Sequence, residues 1–296
     1  MEQARGFLEL TRPGNAVAAG ALTFIGAFVA GGLSAPLEAA AAVAATVLAT
    51  GGGNAVNDYF DREIDAVNRP GRPIPRGTVS PRAALAFSGL LFAVAVGLTL
   101  LLPPLAVAIA VVNLLALVAY TEVFKGLPGV GNLLVGALTG STFLYGAAAV
   151  SGDLGNVPVA PLEAVLAVGG HLGASVLALF ALAASATMAR EIVKDVEDVA
   201  GDREEGLRTL PIVLGRRRAL AVAAVFVVAA VVASPVPYLR GTFGPPYLVV
   251  LAPAVAGMLA AMYRSFGAPA TGQRWLKTSM FAAAVAFVAG RAAVVL

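Results

Sequence analysis

Nine runs of almost uncharged sequence, each long enough to cross a lipid bilayer, leave this chain of 296 residues little choice of fold. A helix that crosses a bilayer needs about 20 mostly apolar residues, and its backbone must satisfy its own hydrogen bonds in lipid. Windows of that kind fall at 15–33, 37–57, 84–102, 104–121, 130–150, 162–189, 218–236, 246–263 and 277–295. Only 12% of the residues are charged and 59% are hydrophobic, against roughly 25% charged in an average soluble domain. The chain reads as an all-α integral membrane protein with nine transmembrane helices and a single domain over residues 1–296. The long run containing LLPPLAV is divided by Pro103 and Pro104, which predict a tight external turn between two spans. MEQARGFLELTRPGN at the start lacks a signal-peptide pattern, so insertion is expected to rely on the helices themselves.

Lys and Arg concentrate in cytoplasmic loops, which orients the spans. With the N-terminus inside, 18 of the 20 basic residues fall on the inner side and only Arg240 and Arg291 fall outside. The expected arrangement is a multi-pass protein of the cell membrane with its C-terminus external.

Acidic residues are as uneven. Eleven of the seventeen lie in two segments: Asp58, Asp61, Glu63 and Asp65, then Glu191, Asp195, Glu197, Asp198, Asp202, Glu204 and Glu205. Each segment follows an even-numbered span, so both are expected on the cytoplasmic side. DYFDREID and DVEDVAGD share the spacing Asp-x-x-Asp-x-x-x-Asp, and on a helix positions i, i+3 and i+7 share one face. Segments 54–77 and 191–214 therefore read as a possible internal duplication on the cytoplasmic side, with the nine helices expected around a central lipid-accessible cavity.

Three carboxylates on one face repel one another unless a cation sits among them. The chain has no Cys and one His, which leaves oxygen ligands and hence a hard ion, Mg²⁺ or Ca²⁺. Mg²⁺ keeps waters and is usually shared between one or two carboxylates and substrate phosphates. Arg62, Arg69, Arg72, Arg76, Lys194, Arg203 and Arg208 beside the acidic sets suit the remaining charge of a diphosphate. Asn54 and Asn57, one turn apart, lie on the stripe of Asp58 and Asp61, and an amide oxygen can complete a metal shell. A solvated helix end is the competing reading of either segment alone, and two copies at one spacing favour the ligand.

NDYFDREID resembles the first Asp-rich signature of the UbiA-type intramembrane prenyltransferases, and DVEDVAGD resembles the second. GNAVNDYFDREIDAVNRPGRPIPRG and REIVKDVEDVAGDREEGLRTLPIVLG are most similar to an archaeal branch of that family, which forms the second ether bond of archaeal lipids. The resemblance covers essentially the whole chain and implies a Mg²⁺-dependent prenyltransferase with two ions, Mn²⁺ serving as a substitute. It implies Asp58, Asp61, Asp65, Asp195, Asp198 and Asp202 as catalytic metal ligands, with Asn57 beside them. Asn54, Asn57, Arg62, Arg69, Arg72 and Lys194 become contacts to a polyprenyl diphosphate drawn from the membrane lipids. Tyr120 and Lys125 in YTEVFKG correspond to a Tyr-x-x-x-Lys of the family with one residue more between them, and Lys125 is expected on the diphosphate. Arg12 and Asn15 in LTRPGN are expected on the acceptor or the phosphates. Tyr59, Phe60, Tyr120, Phe124, Phe143 and Tyr145 are candidates to line the path of the prenyl chain.

The implied acceptor is geranylgeranylglyceryl phosphate, alkylated on its hydroxyl, with 4-hydroxybenzoate or a related aromatic quinone precursor as the alternative. A transporter or channel with an acidic vestibule is the alternative of another class, but such proteins place coupling residues near the bilayer midplane, and here both acidic sets close a helix. No nucleic acid and no obligate protein partner is expected. His171 reads as a packing donor, Trp275 as an interfacial anchor, and GRRR at 215–218 as a topology signal that also touches anionic headgroups.

Overall fold

The computed structural model describes residues 2–31, 34–124, 126–151, 161–204 and 206–296. Lys125 lies outside the described residues, and so does the side chain of His171. Among the described residues the chain is helical, with no strand. In order come α1 (Glu2–Leu10), α2 (Pro13–Val29), α3 (Pro36–Phe60), α4 (Arg62–Asn68), α5 (Pro81–Thr99) and α6 (Pro104–Ala119). A π-helical turn (Tyr120–Phe124), α7 (Val130–Val150), α8 (Pro161–Glu204), α9 (Leu210–Leu214) and α10 (Arg216–Ala233) follow, then α11 (Val236–Leu239), α12 (Pro246–Ser265) and α13 (Pro269–Val295).

Seven of these helices are long and apolar enough to cross a membrane, α8 counting from Gly173, while the apolar helices α2 and α6 are 17 and 16 residues long. Each window predicted from sequence overlaps one of these nine helices, seven of which have the length of a span. Proline opens α2, α3, α5, α6, α12 and α13. It has no N–H to leave unpaired in the first turn, and its φ already suits a helix. α5 gains a further cap, because the Ser80 hydroxyl accepts from the Ala83 N–H at 3.2 Å. Pro103 and Pro104 separate α5 from α6, as the sequence predicts. α8 is broken at Gly173, whose φ of 78° and ψ of 149° suit glycine alone.

Close approach between helices depends on residues without a side chain. A Cβ at Gly26 would collide with the Phe143 backbone, and one at Gly146 with the Thr23 carbonyl, so α2 and α7 cross in mutual contact. One turn apart on the facing side of α7, Cβ atoms at Gly136 and Gly140 would lie 2.6 Å and 2.7 Å from the Ala184 and Phe180 carbonyl oxygens of α8. Lipid tails are as apolar as Leu, so helices in membranes associate through such tight packing. α7 is thereby fixed between α2 and α8, the helices that carry Arg12 and the second acidic segment.

A small core of Leu10, Ala55, Ile74, Val79 and Ala84 ties α1 and α3 to the segment after α4. Ile74 and Val79 anchor the arginine-rich stretch from Arg69 to Arg76 against the helices, which directs its guanidinium groups. Arg76 confirms the docking: Nη2 reaches Glu9 Oε2 at 2.7 Å and Nη1 reaches the Gly71 carbonyl at 2.9 Å. The hydrogen bond from Arg76 holds the Glu9 carboxyl below its ordinary pKa, with Arg5 adding to the effect.

Candidate active site

A cavity of about 570 Å³ opens between α2, α7, α8, α10, α12 and α13. Its polar end is lined by Arg12, Asn15, Arg190, Glu191, Lys194, Gln273 and Lys277. Its far end is lined by apolar groups that include Phe143, Leu182, Tyr247, Leu251 and Phe287. One compartment thus offers a charged seat and a greasy barrel, the shape an amphiphile with an anionic head requires.

The first acidic segment departs from the single helical face expected of it. α3 ends at Phe60, α4 begins at Arg62, and Asp61 occupies the break with φ −81° and ψ 3°. Asp58 and Asp65, both buried, remain together because Arg72 bridges them. Its Nη1 lies 3.1 Å from Asp58 Oδ1 and also donates to Asp65 Oδ2. Arg12 Nη2 donates to the same Asp58 oxygen at 2.5 Å. Arg12 has φ 47° and ψ 66° and is the only non-glycine residue with positive φ among the described residues. Pro13 follows it, so its left-handed backbone is strained, and strain of this kind clusters at sites that hold ligands. A smaller hollow of about 420 Å³ is lined by Glu9, Arg12, Asp58, Arg69, Arg72 and neighbouring backbone. Arg12 lines both hollows and so connects the first acidic segment to the main cavity.

The second segment lies on the unbroken last turns of α8. Asn132, at the start of α7, donates from Nδ2 to Asp195 Oδ2 at 2.8 Å. Thr209 Oγ1 donates to Asp202 Oδ2 at 3.1 Å. Tyr120, Asn132, Glu191, Lys194, Asp195 and Thr209 enclose a space of about 40 Å³. The π-helical turn widens the end of α6 at Tyr120, a local feature frequent at functional sites. Asp198 is half-exposed, 4.0 Å from Lys194 Nζ. Glu191, one turn before Asp195, faces both this space and the main cavity.

Residues 19–285 match the UbiA prenyltransferase family. The chain belongs to that family. It is 70% identical over 295 residues, 100% of both chains, to the digeranylgeranylglyceryl phosphate synthase of Natronomonas pharaonis. A solved structure described as giving structural and mechanistic insights into digeranylgeranylglyceryl phosphate synthase in membranes is 32% identical, with TM-score 0.75 over 98% of this chain and 99% of that one. A UbiA homolog from Archaeoglobus fulgidus, solved bound to GPP and Mg²⁺, shares the fold at 18% identity and TM-score 0.66, covering 98% of this chain and 100% of that one.

Among the described residues no three acidic or histidine side chains converge closely enough to hold an ion by themselves. In the first segment the break at Asp61 leaves Asp58 and Asp65 as a pair joined through Arg72, while the second segment keeps its helical spacing, with Asp195 and Asp202 two turns apart. A pair suits an ion shared with phosphate oxygens, because Mg²⁺ takes only one or two carboxylates in such sites. Asn57 is exposed. Asn54 Nδ2 donates to the Thr11 carbonyl at 2.9 Å and braces the turn before Arg12. Arg62 Nη1 donates to the Tyr59 carbonyl at 2.9 Å, and its guanidinium stands 4.9 Å from the Tyr59 ring centroid.

Of the six aromatic residues expected along the prenyl path, Phe143 lines the main cavity, and Tyr247, Phe281 and Phe287 join it. Tyr145 instead hydrogen-bonds Thr99 at 2.8 Å in the core. Arg190, Glu191, Gln273 and Lys277 were missed in the sequence. Only Glu191 carried a signal, its i, i+4 spacing to Asp195.

Proposed function

We propose that the protein transfers a geranylgeranyl group from its diphosphate to the hydroxyl of geranylgeranylglyceryl phosphate, forming the second ether bond of archaeal membrane lipids. The observation that carries this reading is the cavity itself, whose charged end adjoins both acidic segments and whose other end is apolar. Full-length 70% identity to a digeranylgeranylglyceryl phosphate synthase supports the choice of acceptor.

The donor diphosphate lies at the charged end and its chain in the barrel. Asp58 with Asp65 and Asp195 with Asp202 are the pairs that would hold two Mg²⁺ ions, or Mn²⁺ in their place, and Asp61 and Asp198 stand at the edge of each pair. Bound there, the metal supplies charge neutralisation for the departing diphosphate. Arg12, Arg72 and Lys194 offer guanidinium and ammonium donors to the remaining oxygens, and Lys125 and Tyr120 are assigned to the same head group. Arg12 and Arg72 share Asp58 Oδ1, and an ion held by that carboxylate would leave at least one guanidinium for phosphate. Phe143, Tyr247 and Phe287 hold the chain and exclude water, which would otherwise capture an allylic carbon with cationic character. The acceptor oxygen forms its bond to that carbon as the bond to the diphosphate breaks, and the hydroxyl proton passes to the released diphosphate.

For the membrane we propose nine crossings, with the N-terminus and both acidic segments cytoplasmic. α2 at 17 residues meets the lower limit of a span, and α6 is extended by the π-helical turn. The orientation follows the bias of Lys and Arg.

Purified protein given geranylgeranyl diphosphate, Mg²⁺ and each acceptor separately tests the assignment. Mass spectrometry is expected to find the diether with geranylgeranylglyceryl phosphate; prenylated 4-hydroxybenzoate and no diether would overturn it.

A further inference from the structure

The chain contains no Asp or Glu after Glu205, yet Arg208, Arg216, Arg217, Arg218, Arg240, Arg264, Arg274, Lys277 and Arg291 all follow it. α10, α12 and α13 therefore form a wall of the main cavity with no carboxylate of its own. At the polar end of that cavity the other cations are already matched. Arg12 is bonded to Asp58 and Arg190 to Glu191, while Lys194 lies 4.0 Å from both Glu191 and Asp198. Lys277, on α13, differs. Among the described residues no carboxylate lies within ion-pair distance of it, and its one polar partner is the neutral Asn15 Oδ1 at 3.5 Å. Gln273 sits one turn earlier on the same helix face and lines the same cavity.

We infer that Lys277, with Gln273 and Asn15, is the seat for the phosphate of the acceptor, a phosphomonoester on a glycerol ether lipid, held without metal on the wall facing the acidic segments. The inference rests on the acceptor proposed above. A donor diphosphate needs cations to offset the carboxylates that hold its metal, and Arg12, Arg72 and Lys194 stand beside those carboxylates. A second phosphate placed there would add charge to a crowded site. Lys277 offers an ammonium that no carboxylate among the described residues pairs, and Gln273 and Asn15 add two amides that can donate N–H groups to phosphate oxygens. Separate seats at the two sides of one polar end keep the two anionic heads apart while their chains share the apolar barrel.

Lys277 is exposed, so its replacement does not open the core. The test compares the wild type with Lys277→Met and Lys277→Arg in three assays. In steady state, Lys277→Met is expected to raise KM for geranylgeranylglyceryl phosphate about tenfold, with KM for geranylgeranyl diphosphate and kcat little changed, and Lys277→Arg is expected to restore most of the loss. With dephosphorylated geranylgeranylglycerol as acceptor, wild type and Lys277→Met should perform alike. In detergent with excess chelator, the phosphorylated acceptor should raise the Tm of the wild type but not of Lys277→Met, since only a ligand of the native state stabilises it. A bulk anionic phosphodiester lipid should leave both unshifted. A higher donor KM in Lys277→Met, an unchanged acceptor KM, or an equal shift by the bulk lipid would each overturn the inference. Failure of the wild type to form any diether would instead overturn the acceptor assignment itself.

Discussion

Arg72 Nη1 lies 3.1 Å from Asp58 Oδ1, a contact that brings a residue beyond α4 back onto the last turn of α3. Asp65 shares the same guanidinium, and the three side chains are largely buried. Removing one partner of such a group leaves an uncompensated charge, at a cost of about 3 kcal/mol or more. Arg72→Met is therefore expected to lower the Tm in chelator by several degrees, and added Mg²⁺ should recover part of the loss by neutralising the same carboxylates. Thermal unfolding with and without Mg²⁺ measures both effects.

Asp61 and Asp198 take little part in the packing, one at a helix break and the other half-exposed. Asp61→Ala and Asp198→Ala should each reduce kcat/KM on the order of a hundredfold or more through lost transition-state stabilisation, with Tm nearly unchanged. Glu204→Ala, also exposed, should leave turnover intact. Parallel kinetics and melting curves distinguish a metal role from a structural one.

Asn132 fixes Asp195 from the neighbouring helix at 2.8 Å. A hydrogen bond to a charged group contributes about 1.5–3 kcal/mol. Asn132→Leu should weaken Mn²⁺ binding as well as activity, and Asn132→Asp should lose more because a second carboxylate would face the first. Electron paramagnetic resonance of Mn²⁺ titrated into the protein reads this directly.

At the α2–α7 crossing, Gly146→Val would drive a branched side chain into the Thr23 carbonyl. Overpacking of this kind costs about 1–3 kcal/mol. The expected result is a lower Tm and reduced activity through displacement of α2, whose start carries Arg12. Gly53→Ala, with open space around its Cβ position, is the control that should change neither.

The helices and the acidic segments were legible in the sequence because their signals are local. Apolar runs of spanning length, prolines at helix starts and a repeated Asp spacing need no knowledge of the neighbours. The break at Asp61 left no such mark, since a helix and a kinked pair of helices can share the spacing i, i+3, i+7. The return of Arg72 to Asp58 depends on Ile74 and Val79 docking against α1 and α3, a long-range event. Tyr247, Phe281 and Phe287 were invisible for a different reason. α12 and α13 are apolar all round through the membrane, so no periodic stripe reveals which face meets the cavity. Lys277 was counted among the inner cations, but its lack of a carboxylate partner emerges only when α13 is placed beside Asn15.

The central claim is that one cavity couples departure of the donor diphosphate to ether formation on a lipid hydroxyl. The most direct measurement follows diphosphate release and diether formation together in the purified protein, with geranylgeranyl diphosphate and geranylgeranylglyceryl phosphate, in Mg²⁺ and in chelator. The account predicts one diphosphate released per diether formed, both abolished in chelator and both restored by Mg²⁺ or Mn²⁺. Full turnover in excess chelator, or steady diphosphate release with no diether, would contradict it.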